Sequence, residues 1–150
     1  MTLRVGQQAP EFETITHKGE TISLAKLRGD KAVVLYFYPK DETPGCTAEA
    51  CSFRDAYEDF TDAGAVVIGV SSDSLDKHRA FAAKHGLPFT LASDADGALR
   101  RTYGVNKSMG VLPGRVTYVI DPEGVVREVF SSQMRVKQHV ATALAAIKAG

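Results

Sequence analysis

AVVLYFYPKDETPGCTAEACSFRDAYEDFTDAGAVVIGVS, residues 32–71, holds two apolar runs, Ala32–Tyr38 and Ala65–Ser71, on either side of a helical pattern. Each run is short and rich in β-branched residues. Neither alternates with polar residues, which is the pattern of a strand buried on both faces. Between them Cys46, Ala50, Phe53, Tyr57 and Phe60 recur at spacings of 4, 3, 4 and 3, one face of a helix over 46–60. A strand–helix–strand crossover is right-handed and joins parallel strands in nearly all cases, so the two runs are expected as parallel members of one sheet.

The flanks extend an α/β pattern. Upstream, Phe12–Thr16 and Glu20–Ser23 enclose the turn residues Lys18 and Gly19, a short hairpin. Downstream, Leu75–His85 reads as a helix opened by Ser72, Asp73 or Ser74 and closed by Gly86 and Pro88. A short strand over Phe89–Ala92 follows, and Asp94 caps a brief helix running through Tyr103. Val116–Ile120 and Val125–Phe130, separated by Asp121-Pro122-Glu123-Gly124, form a second hairpin, and Val136–Lys148 the last helix. The sum is a mixed sheet flanked by helices.

Composition narrows the function. At 150 residues the chain fits a single domain over 1–150, with no repeat or low-complexity linker to divide it. Lys and Arg number 18 and so do Asp and Glu, giving net charge 0, so no overall positive field gathers nucleic acid or an anionic membrane. The longest apolar run is far short of the ~20 residues a membrane span needs. MTLRVGQQAPEF, at the start, has neither an apolar signal core nor a small-residue cleavage site and reads as mature cytoplasmic sequence. With 2 cysteines the chain is no disulfide scaffold, and in a reducing compartment a close pair points to catalysis, redox sensing or metal binding.

Cys46 lies where a core strand hands over to a helix, the edge at which α/β sheets collect ligands. With Thr43 at the N-cap, Pro44 falls at N1, Gly45 at N2 and Cys46 at N3. A helix N-terminus favours thiolate over thiol. Ionisation alone supplies little: taking a free thiol from roughly 3% to full thiolate gains only about 2 kcal/mol, against the ~8 kcal/mol or more that enzymes need. Hydroxyls, N–H groups or an arginine nearby must stabilise charge on the other reactant. Cys51 is displaced by about 140° around an ideal helix and ~7.5 Å along it. It falls on a polar stripe with Asp55, Glu58 and Asp62, away from the apolar face. The two Cα atoms would then be roughly 8.6 Å apart, beyond the ~7 Å limit of a disulfide, so a Cys46–Cys51 bond requires local unwinding.

These residues resemble the active-site loop of the peroxiredoxins, thiol peroxidases of thioredoxin-like fold, whose motif Pro-x-x-x-Thr-x-x-Cys is met by Pro39, Thr43 and Cys46. The five-residue cysteine spacing, TPGCTAEAC, GVSSDSLDKHRAFAAKHGLPF over 69–89 and PGRVTYVIDPEG over 113–124 are similar to the peroxiredoxin Q, or bacterioferritin comigratory protein, subgroup. The resemblance implies that Cys46 attacks peroxide and becomes a sulfenic acid, and that Cys51 resolves it as an intramolecular disulfide. It implies that Pro39 shields the thiol, that Thr43 orients peroxide with the helix start at Gly45, and that Arg115 stabilises thiolate and departing oxygen. Glu49 orients the arginine, although its helix position also permits a solvated role. The same resemblance implies thioredoxin or a similar dithiol as reductant, no cofactor or metal, and a monomer.

Other classes fit less well. The histidines at 17, 78, 85 and 139 make no second close ligand pair for zinc. A dithiol reductase uses CxxC, which bridges with little rearrangement. A thiol–disulfide exchange or redox-sensing module remains the alternative, distinguished by stopping at one equivalent of peroxide. No Gly-rich phosphate loop is present.

Overall fold

The computed structural model describes residues 3–105 and 114–149. Its elements run β1 (Glu13–Ile15), β2 (Thr21–Ser23), α1 (Leu24–Leu27), β3 (Ala32–Phe37), α2 (Pro44–Asp55), α3 (Tyr57–Asp62), β4 (Ala65–Ser71), α4 (Leu75–His85), β5 (Thr90–Ser93), α5 (Ala98–Thr102), β6 (Val116–Ile120), β7 (Val126–Ser131) and α6 (Val136–Ala149). The first two strands pair as the expected hairpin, and the other five form one mixed sheet in the order β5-β4-β3-β6-β7. Strands β3 and β4 are parallel, with Ala32 opposite Ala65 and Phe37 opposite Val70. Strand β6 runs antiparallel to the other edge of β3, with Val33 opposite Ile120 and Phe37 opposite Val116.

Every residue of β3 is buried, because the sheet is covered on both sides. Val34, Tyr36 and Tyr38 face one core with Cys46, Ala50 and Phe53 of α2, Phe60 of α3 and Val140 of α6. Val33, Leu35 and Phe37 face the other, with Phe12, Leu24 and Tyr103. A parallel neighbour on one side, an antiparallel one on the other and two covered faces account for the unbroken apolar run.

Several boundaries differ from the sequence reading. The helix expected over 46–60 starts at Pro44 and breaks at Ala56 (φ −98°, ψ 3°), which divides α2 from α3 while Phe53 and Phe60 stay in one core. The four-residue α1, which sequence periodicity does not show, is capped by the Ser23 hydroxyl accepting from the Lys26 N–H at 3.2 Å. Asp94 supports α5 from outside it, its carboxylate accepting from the Leu99 and Arg100 N–H groups at 2.9 Å. Strand β7 begins one residue later than expected because Val125 belongs to the turn, its N–H donating to Asp121 Oδ1 at 2.9 Å. Pro113, the first residue of the PGRVTYVIDPEG string, lies outside the described residues.

Candidate active site

Strand β3 ends at Phe37, and residues 38–43 carry the chain into α2. Thr43 occupies the N-cap and Pro44 the first helical position, which places Gly45 at N2 and Cys46 at N3. Thr43 does not use its hydroxyl as a cap: Oγ1 donates to the Lys40 carbonyl at 2.9 Å and makes no hydrogen bond to the first-turn N–H groups. The hydroxyl oxygen keeps its lone pairs, and the N–H groups of the first turn are left to other acceptors. Cys46 is 1% exposed on the core face of α2, while Thr43, Gly45 and Pro39 above it are half-buried.

Arg115 reaches the same place from the opposite end of the sequence. The antiparallel register sets Val116 against Phe37, so Arg115, one residue earlier, lies level with Tyr38 at the carboxyl end of β3. It is 5% exposed, whereas an isolated arginine before a strand is ordinarily a surface charge. Its Nη1 donates to Glu49 Oε1 at 2.6 Å, and its Nε donates to the Gln133 carbonyl at 3.2 Å. Gly45 lies beneath it: a Cβ there would stand 3.1 Å from Nη2. Burial works against the Arg115 charge, but Glu49 and Cys46 more than offset it and raise the pKa of the guanidinium.

Glu49 is 0% exposed, so the solvated role its helix position permits does not occur. Burial pushes its carboxyl up to about 7, with the Arg115 charge and hydrogen bond pulling the other way. Behind it, His139 Nε2 lies 2.8 Å from the Ser132 carbonyl and Nδ1 2.7 Å from Thr117 Oγ1. A carbonyl only accepts, so Nε2 carries hydrogen and Nδ1 accepts from Thr117. Burial lowers the imidazole to about 4; the Ser132 bond opposes this and the Arg115 charge adds to it. Glu49 Oε2, 3.7 Å from that Nδ1, has no hydrogen-bond partner among the described residues.

Sequence reasoning missed Thr117, His139 and Arg100. Arg100 donates to the Tyr38 carbonyl at 3.3 Å and to the Gly114 carbonyl at 3.2 Å, tying the end of β3 to the approach of β6. A signal existed for His139, a polar residue among Val136, Val140 and Ala143 on the apolar side of its helix; none existed for Arg100. Cys51 is half-buried further along α2, and both cysteines are free thiols. A groove of about 670 Å³ at the opposite end of the sheet, lined by Asp30, Gly64, Asp121, Glu128 and Ile147 among others, contains none of these residues. Among the described residues no helix is long and apolar enough to cross a membrane.

A model of the AhpC/TSA family matches residues 5–129. The chain belongs to this family. Within the family it is similar to peroxiredoxin Q of Populus jackii, a chloroplastic protein, with 50% identity over 136 residues, 90% of this chain and 63% of that protein. The chain thus spans a little under two thirds of that relative's length. Among solved structures it is similar to the peroxidoxin BcpB of Mycobacterium tuberculosis, with 37% identity, a TM-score of 0.90, and 98% of this chain and 97% of that one covered. The bacterioferritin comigratory protein of Xanthomonas campestris, whose structures concern alkyl peroxide reduction, aligns at a TM-score of 0.84 and 38% identity over 92% of this chain and 90% of that one. The mixed sheet with its helices and N-terminal hairpin is the thioredoxin-like arrangement of these AhpC/TSA structures.

Proposed function

We propose that this AhpC/TSA chain is a thiol peroxidase for hydrogen peroxide and organic hydroperoxides. The observation that carries the reading is the convergence of Arg115, which immediately precedes β6, on the start of α2, where its Nη2 would stand 3.1 Å from a Cβ on Gly45, the residue before the buried Cys46. The Cys46 sulfur attacks the terminal peroxide oxygen; an S–O bond forms as the O–O bond breaks, and the departing oxygen takes a proton to leave as water or alcohol. Sulfur is oxidised by two electrons to sulfenic acid and the peroxide is reduced by two. The Thr43 oxygen, its hydrogen held by Lys40, accepts the peroxide hydrogen. The first-turn N–H groups around Gly45 and the Arg115 guanidinium face the charge that develops, the arrangement that supplies most of such an acceleration. Glu49 holds Arg115 in place, and Pro39 shields the thiol.

In the second half-reaction the Cys51 sulfur attacks the Cys46 sulfenic acid, a disulfide forms and water leaves. A dithiol such as thioredoxin then reduces the disulfide, becoming one itself. We assign the chain to the cytoplasm and to a monomer on the sequence reading alone. Intact mass after one equivalent of hydrogen peroxide tests the cycle. The reduced protein should lose about 2 Da within seconds, Cys51→Ser should gain about 16 Da, and Cys46→Ser should not change rapidly. A wild type that stays reduced for minutes overturns the reading; one that reacts once but never turns over with excess dithiol is a redox-sensing module instead.

A further inference from the structure

Residues 38–43 are pinned by a buried network that the peroxide chemistry does not itself use. Asp41 is 5% exposed and sits at its centre. Its Oδ1 accepts from the Tyr38 hydroxyl at 2.6 Å, its Oδ2 faces His78 Nδ1 at 2.6 Å, and its N–H donates to Asp73 Oδ2 at 2.7 Å. Asp73 is in turn held by the Ser71 hydroxyl at 2.8 Å. His78 is 0% exposed and its Nε2 lies 3.0 Å from the Ala92 carbonyl, so one imidazole joins the loop to β5 through α4. The next residue, Glu42, has φ +67°, a left-handed conformation that costs a side-chain-bearing residue energy and persists only where its surroundings hold it. Thr43 and the first turn of α2 follow directly.

We propose that His78 is a positioning residue for peroxide reduction: through Asp41 it clamps the loop that presents Thr43 and the first turn of α2, and release of that clamp is what lets Cys46 leave its pocket for Cys51. The inference rests on the peroxidase reading. Its consequence is a split of opposite sign. A residue that only stabilises the fold slows or speeds nothing selectively, whereas a clamp favours the wound helix that meets peroxide and opposes the unwound one that forms the disulfide. Removing His78 therefore slows sulfenic acid formation, since small misplacements of reacting groups are costly to rate, and speeds its conversion to disulfide.

The experiment measures both steps by rapid quench and intact mass. Sulfenic acid formation is followed in a Cys51→Ser background and disulfide formation with both cysteines present. His78→Phe, which keeps a ring but loses both nitrogen contacts, is expected to be oxidised about tenfold or more slowly and to form the disulfide severalfold faster. His78→Asn, whose amide can still donate to Asp41, recovers part of the first loss. Hydrogen exchange at the Thr47 amide, which bonds the Thr43 carbonyl at 2.8 Å, rises in His78→Phe. Phe81→Leu, a buried substitution on the same helix, is the control and moves neither rate. Should His78→Phe fail to fold, Asp41→Asn removes the carboxylate from the other end of the clamp and is read the same way. Rates both unchanged, rates both slowed alike, or a split reproduced by Phe81→Leu overturns the inference alone. A wild type that peroxide leaves reduced overturns the peroxidase reading together with it.

Discussion

At the residue scale the site depends on Arg115, which faces a buried sulfur and a buried carboxylate at once. Arg115→Ala should lower the rate of Cys46 oxidation by about 10²–10³-fold, the cost of losing one preorganised donor to developing charge. The same substitution leaves the buried Glu49 carboxyl without its donor and should destabilise the fold by about 1–3 kcal/mol, since a carboxyl already raised to about 7 takes up a proton rather than remaining an unpaired charge. Stopped-flow oxidation and urea unfolding read the two effects separately; a variant that keeps its rate places the charge stabilisation elsewhere. Glu49 has its own signature in pH. Its folded pKa of about 7 stands above the ordinary 4.5, so the folded state holds the proton more tightly. The resulting stability is full below about pH 4.5 and is lost as pH rises through 7. Relative to Glu49→Gln, which does not titrate, the wild type should lose about 3 kcal/mol between pH 4 and 8. Urea midpoints across that range check it, and a pH-independent difference would show that the carboxyl is not perturbed.

At the scale of elements, the proposed cycle would use α2 in both half-reactions, and they ask opposite things of it. Peroxide needs the first turn wound, with Gly45 under the guanidinium and Cys46 on the core face. The disulfide needs it unwound, since Cys46 is buried with the core while Cys51 is half-buried on another side of the same helix. Far-UV circular dichroism should therefore show less helix in the disulfide form than in the dithiol form, with the bond confirmed by mass. Equal helical content would refute the need for unwinding. The helix itself was readable in advance: Pro44 at its first position and the apolar spacing of Cys46, Ala50 and Phe53 located it. Its break at Ala56 was not, because the apolar face continues to Phe60 as if nothing intervened. Periodicity records which side is buried and is silent on a backbone whose two segments bury the same side.

At the scale of the whole molecule, the packed layers carry the site. Tyr36 of β3 stacks on Phe53 of α2 with ring centres 4.4 Å apart, and this contact seats the helix on the sheet. The ring has room only because β4 offers Gly69 opposite it, where a Cβ would stand 2.8 Å from the ring and 2.9 Å from Leu91. Gly69→Ala should cost about 1–3 kcal/mol through overpacking and, by shifting Tyr36, disturb α2 as well. Urea unfolding alongside the peroxide rate tests this: a variant with unchanged stability would mean that Tyr36 moves aside freely.

By itself the sequence determined the strand–helix–strand centre, both hairpins, the long helices and the place of Cys46 at a helix start. These follow from local rules of burial period, turn chemistry and capping that act over a few residues. It also marked Pro39, Thr43 and Cys46 as one motif, since they are neighbours in the chain. The resemblance named Arg115 as well, but only the tertiary structure shows how a residue 69 positions after Cys46 in the numbering reaches the start of α2, because strand order and antiparallel register set Val116 against Phe37. Only it decided that Glu49 is buried, that Thr43 turns its hydroxyl to Lys40, and that His78 and His139 close polar networks inside the core. An isolated Arg or His has no periodic signature of its own. Its partners lie on other strands and helices, and the chain brings them together only when the whole sheet forms.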